Sequence, residues 1–447
     1  MSDLREVAIT SDSSGQLWNA CVWDPFVGTT LMTYKGGVSN SHCLSFIGRD
    51  FLISGDAVKP LLHVWALNRQ EQIQVRMVCP GKVGALAISP DGSYCVCGIE
   101  EKLHVWQVAT GRLMAVIPRH FQRVTCIRFT DDTTHFASAS EDGSVIIWPL
   151  CKVVSMTQDI FRSISDSAEP RYTFSDHSLA VTNIFIGKGG MRARLVTASL
   201  DGTSKIYDLA SGIMLLSVVF DVGLTCVTMT IAESRVFLGT IEGKIHPLCL
   251  HTPPRSLDYH LTETEKQNVF SEHTKSITCL SVSVDSSMLL SGSLDEQVII
   301  WDVPSMQCLR KLQHKGSITN AFFAIVPMNV FSNNLKPSLV LSSFKRRSDT
   351  ENEESYCINV LNSERILCDK KSENKESLKY LAGQVLQLKS QVKSLVGANL
   401  ELYRGLIADV WDGHDDDEPD PSFESTQEVG VHKKRKIKHK KKRNLET

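Results

Sequence analysis

The chain has 447 residues, with 48 Lys and Arg against 50 Asp and Glu and a net charge of −2. That balance excludes a protein coated with positive charge for nucleic acid, and the length allows a core larger than one small domain. The average hides a partition, because nine cations fall between residues 432 and 443 and leave about −11 for the remainder.

Taken in order, MSDLREVAIT has no basic segment followed by an apolar run, so no signal peptide is expected. EVAIT, LWNACVWD and TTLMTYK read as three strands, and HCLSFI, DFLISG and LLHVWAL as three more. VGALAIS, YCVCGI and KLHVWQV follow, with the turn Pro90-Asp91-Gly92 inside them; proline presets φ and glycine accepts positive φ. VTCIRF to VIIWPL is followed by an insertion near 151–171, and AVTNIFI to KIYDL by a segment ending IHPLCL with a second insertion near 250–268. The fullest copy of the pattern is residues 273–303, HTKSITCLSVSVDSSMLLSGSLDEQVIIWDV. Ile277, Cys279, Ser281 and Ser283 alternate there with Thr278, Leu280, Val282 and Val284, which predicts a regular strand.

Recurrence decides what the pattern means. Trp23, Trp65, Trp106 and Trp148 follow one another at steps of 42, 41 and 42 residues. Tyr207, Leu248 and Trp301 continue at 59, 41 and 53, so two copies carry insertions. His120, His177 and His273 precede predicted first strands, and Asp142, Asp201 and Asp295 occupy turns before third strands. A His before the first strand and a Trp-Asp at the end of the third resemble the WD-repeat family, in which each repeat of about 40–45 residues supplies one four-stranded blade. The resemblance implies an all-β fold, a seven-bladed WD-repeat β-propeller over residues 1–330. GSITNAFFAIV, residues 316–326, then pairs with the N-terminal strands and closes the ring, removing two sheet edges.

A buried His-Asp pair beside a Ser has the ingredients of a hydrolase triad, but recurrence in several blades favours scaffold, since a catalytic constellation is needed once. There is no GxSxG elbow, phosphate loop or HExxH motif, so no catalytic residue, metal or cofactor is expected. The 13 cysteines are scattered, and Cys43, Cys126, Cys226 and Cys279 occupy similar places in first strands. Together with the absence of an apolar run of roughly 18–20 residues, they suggest an intracellular chain with reduced thiols and no membrane span.

Beyond residue 330 the regularity decays. Residues 331–375 read as an irregular linker in which SLVLSSF and YCINVL have the composition of strands. Residues 376–411 carry a heptad seam: Leu381, Leu388, Leu395 and Leu402 recur every seven residues, with Val385, Val392 and Asn399 interleaved. Leu at d and one Asn at a favour a two-stranded parallel coiled coil, hence a C-terminal coiled-coil helix that makes a homodimer; the bland alternative is an amphipathic helix folded back on the propeller. Residues 412–447 read as a disordered acidic and then Lys-rich tail. Its Lys433, Lys434, Arg435, Lys436, Lys438, Lys440, Lys441, Lys442 and Arg443 suit a nuclear import signal with non-specific RNA affinity.

Particular segments narrow the resemblance. LMTYKGG, MVCPGKV, LLSVVFDV and GSLDEQVIIWDVPSMQCLR, with the helix after them, resemble the WD repeat-containing protein 18 family over roughly residues 5–408. The resemblance implies a non-enzymatic scaffold subunit of a nuclear complex with PELP- and TEX-type scaffold proteins, the counterpart of the fungal Rix-type complex. It also implies association with precursors of the large ribosomal subunit, processing of the internal spacer of ribosomal RNA, and dimerisation through the C-terminal helix. The nucleus, both nucleolus and nucleoplasm, with some cytoplasm, is the expected location. Two other functions fit a propeller: a substrate receptor of a ubiquitin ligase, and a direct RNA-binding protein.

Overall fold

A computed structural model describes residues 6–73, 75, 77–155, 169–251, 256–325, 330 and 337–346. The heptad seam, the Lys-rich tail and YCINVL lie outside these residues. Seven sheets, antiparallel but for one added parallel strand, form the seven blades of a propeller. Blade one runs from the centre outward as Ile318–Ile325, Glu6–Asp12, Ala20–Trp23 and Thr30–Tyr34. Its register extends from Glu6 opposite Ile325 to Asp12 opposite Ile318, so the end of the ring is clasped to its beginning as the sequence predicts.

Blades two, three, four and seven each have four strands in chain order. In blade two the outermost strand covers Met77–Val78 among the described residues, and Gln72 and Ile73 before it also pair with the third strand. Blade six has three strands among the described residues, ending with Ile245–Cys249. Pro247 in that outermost strand lacks a donor, which suits a sheet edge. The segment after it strays: Asp258–His260 pairs in parallel with Ile213–Val219 of blade five, making a five-stranded sheet. The first insertion opens with helix α1 (Leu150–Ser155), and the second ends in a helix, α2. It spans Glu263–Gln267 and starts with a capping box, Thr262 with Glu265. The sequence expectation of a plain long loop near 250–268 is therefore corrected: this stretch has a strand and a capped helix of its own.

The core is not central but lies between neighbouring blades, and the repeated aromatic is its anchor. Trp148 packs with Val96 and Val105 of blade three, Trp301 with Phe237 and Ile245 of blade six, and Trp65 with Ile9 and Val22 of blade one. Tyr207 does the same against Val145 and Ile147 of blade four, and Leu248 against Val196 and Val218 of blade five. Truncating such a buried aromatic to Ala costs about 3–5 kcal/mol. The periodic aromatic is thus the residue that glues each blade to its predecessor.

The innermost strands differ from the regular alternation expected of them. A β-bulge interrupts each of them near its start, for example between Ile277 and Cys279. The extra residue in blades four to seven is a threonine, whose hydroxyl donates to a main-chain carbonyl of the next blade. Thr125 bonds Val181 O (2.6 Å), Thr182 Leu224 O (3.0 Å), Thr225 Ile277 O (2.6 Å) and Thr278 Ile318 O (2.8 Å). Asn320 Nδ2 donates to Asn40 O and Asn40 Nδ2 to Val83 O, both at 2.8 Å, continuing the chain of bonds through blades one and two. Blade three has Gly84 at this position, so the inter-blade side-chain bond is missing there.

Candidate functional site

Three blades hold the same polar network. In blade seven, Trp301 Nε1 donates to Ser291 Oγ (2.8 Å), Ser291 Oγ lies 2.7 Å from His273 Nε2, and His273 Nδ1 lies 2.9 Å from Asp295. In blade four, Trp148, Ser138, His120 and Asp142 repeat it at 2.9, 2.7 and 3.3 Å. In blade five, His177 meets Thr197 at 2.7 Å and Asp201 at 3.0 Å, while Tyr207 Oη donates to Asp176 (2.9 Å) in place of the indole bond. With the serine hydroxyl already accepting from the indole, its own proton goes to Nε2. The imidazole is then neutral, with the Nδ1 hydrogen donated to the carboxylate, and every polar atom is satisfied in one direction.

Electrostatics agree with that assignment. Burial holds His120 and His273 below the ordinary imidazole value. Burial alone would raise Asp295 and Asp142, but it is outweighed. For Asp295 the lowering comes from His273 and the amides of Thr274 and Gln297; for Asp142, from Ser144, the Phe121 amide and His120. Each carboxylate thereby ties the loop entering a blade to the turn between its second and third strands. The serines of blades four and seven are wholly buried and committed to the indole and imidazole, so this arrangement offers no nucleophile to a substrate. Its chemistry is structural.

Other blades solve the same packing problem differently, in ways the spacing does not announce. In blade one, Trp23 Nε1 donates to Thr10 (2.7 Å), and Asp12 stands 3.5 Å from His314. In blade two, Asp56 lies 2.8 Å from His63, and Trp65 Nε1 donates to Lys35 O at 2.9 Å. Blade six has Phe220, edge-on to His246, and Leu248. Blade three has Cys97 where the serine belongs, two residues after the partner of its Trp. Its indole, Trp106 Nε1, donates to Lys345 O at 2.8 Å, a carbonyl from beyond the last strand.

The face that carries these carboxylate turns, the top face, is polar on one side and apolar on the other. Leu200, Ile241 and Leu294 hold the same position in blades five, six and seven, each with its N–H donated to the loop entering its blade, and are exposed at 40, 49 and 43%. Ile241 Cδ1 packs over Gly223, where a Cβ would meet it at 2.8 Å. Glu100 and Glu141 occupy the matching turn positions of blades three and four, with Glu141 N–H donated to Arg123 O. Phe121, 91% exposed, projects from the loop entering blade four.

The WD domain, G-beta repeat family matches residues 111–149 and 264–302. WD repeat-containing protein 18 of Danio rerio is 41% identical over 347 residues, covering 77% of this chain and 79% of that protein. The Homo sapiens protein of the same name is 40% identical over 348 residues, with the same coverage. The chain belongs to the WD repeat-containing protein 18 family. More distant relatives of this family member include pre-rRNA-processing protein pro-1 of Caenorhabditis briggsae, 27% identical over 71% of this chain and 60% of that protein. Protein ROOT INITIATION DEFECTIVE 3 of Arabidopsis thaliana is 29% identical over 70% of this chain. The dimerisation residues and basic tail expected in this family member lie outside the described residues, whereas every repeat residue read from the sequence has a place in a blade.

Proposed function

We propose that this protein is a non-enzymatic scaffold subunit of a nuclear complex that matures the large ribosomal subunit and supports processing of the internal spacer of pre-rRNA. The observation that carries the reading is the family membership, together with distant relatives named as pre-rRNA-processing proteins. The geometry supports it: histidines and serines able to do chemistry are consumed inside blades, while apolar side chains are offered on the top face. PELP- and TEX-type scaffold proteins and pre-large-subunit particles are its partners in this reading. A homodimer through Leu381, Leu388, Leu395, Leu402 and Asn399 doubles the number of binding surfaces presented. The Lys-rich tail supplies nuclear import and salt-sensitive contact with RNA.

Affinity purification of the tagged full chain from nuclear extract, read by mass spectrometry, tests this. Large-subunit assembly factors are expected, with no turnover of any substrate. Recovery of ubiquitin-ligase components in their place, or of no ribosome factor, contradicts it.

A further inference from the structure

SLVLSSF reads as a strand in sequence, yet Ser338–Phe344 forms none. It runs as an extended strap across the bottom face of blades two and three. Ser338 donates both its N–H (2.7 Å) and its hydroxyl (2.6 Å) to Asp50, which is buried in the turn between the first two strands of blade two. Ser342 Oγ donates to Ala109 O (2.7 Å) and Lys345 N to Gly111 O (2.8 Å), in the outer turn of blade three. Phe344, only 6% exposed, stacks on Trp106 with ring centroids 5.5 Å apart and planes 11° apart. The strap thus makes main-chain, hydroxyl and aromatic contacts in sequence, as a bound peptide does.

The groove under it is built for an extended chain. Gly48, Gly92 and Gly111 lie in turns at φ of +55, +76 and +67°, and the strap occupies the room their missing side chains leave. A Cβ on Gly48 or Gly92 would come within 2.7 Å of Leu339 Cδ1, and one on Gly111 within 2.1 Å of Ser343 O. The need for a filler is equally clear. Phe344 packs in one buried cluster with Met77 and Cys79 of blade two and Trp106 and Leu113 of blade three, so it fills the seam between them. Blade three also lacks the serine for its indole and the threonine for the next blade, so Lys345 O takes up Trp106 Nε1.

We infer that the bottom groove of blades two and three is a peptide-binding site, filled in cis by residues 337–346, and that this strap latches blade three in place of its missing polar network. The ligand class is an extended segment with a hydroxyl residue to meet Asp50, an aliphatic residue next to it and an aromatic six positions after the hydroxyl. The inference stands apart from the ribosome reading.

Hydrogen exchange on the full-length chain tests it. Phe344→Ala is expected to speed exchange at least roughly ten-fold at 77–78, 102–107 and 113–118, leaving the inner strands of blades five and seven unchanged. Free peptide of residues 337–346 is expected to restore that protection, and the same peptide with Ala at 344 to fail. If Phe344→Ala does not fold, Phe344→Leu, which keeps bulk and loses stacking, shows the same local pattern in weaker form. Unchanged exchange, uniform acceleration over all blades, or no rescue by the free peptide would overturn the inference.

Discussion

His273 illustrates how a residue that looks chemical becomes structural. Its Nε2 and Nδ1 are each committed, to Ser291 and Asp295, and burial keeps the ring neutral. A pH dependence follows from His120 and His273. Their folded values lie below the ordinary imidazole value, so the unfolded chain takes up protons first as pH falls below about 6.5. Their contribution is complete above that pH and is lost as pH falls toward the folded values. Asp142 and Asp295 are also depressed, so their loss begins only below the ordinary carboxylate value of 3.8. The midpoint of urea unfolding should therefore be lower at pH 5 than at pH 7.5, and equal midpoints would contradict neutral buried imidazoles. At this scale the sequence was informative wherever His, Asp and Trp recur together. It was silent where a carbonyl does the work: Trp65 and Trp106 donate to Lys35 O and Lys345 O, and a backbone acceptor leaves no residue signature.

Strands were legible because the aromatic closing each third strand recurs at a nearly constant step and anchors one blade to the one before it. Tyr207 and even Leu248 keep the role through volume alone. Bulges were not legible, because Thr278 fits the period-two pattern equally well as a regular strand residue or as an unpaired one. Only the neighbouring blade, whose carbonyl it bonds, distinguishes them. The threonines predict a graded effect: Thr225→Val keeps shape but removes the 2.6 Å bond to Ile277 O, and should cost about 1 kcal/mol. Thermal or urea unfolding of that variant reads the loss, and an unchanged stability would mean that the hydroxyl bond adds nothing to the packing of Trp301 against Phe237 and Ile245. The strand of blade five contributed from residues 258–260 and the capped helix after it were missed for another reason: in sequence they are short and follow a Pro-Pro pair, which reads as loop.

The described residues form a ring closed by its own N-terminal strands, with the His-Ser-Asp networks buried inside blades and exposed apolar side chains on one face. Its relatives include proteins named for pre-rRNA processing, which supports a role in ribosomal RNA maturation. Blade three is the uneven sector, with no threonine bond to blade four and a strap supplying what its own residues lack. The central claim is best tested by depleting the protein from the cells it comes from, restoring the full chain, and following pre-rRNA intermediates by hybridisation to the internal spacer. The account predicts that spacer-containing precursors of the large subunit accumulate on depletion and return to their normal level on restoration. Unchanged precursors after depletion would contradict it.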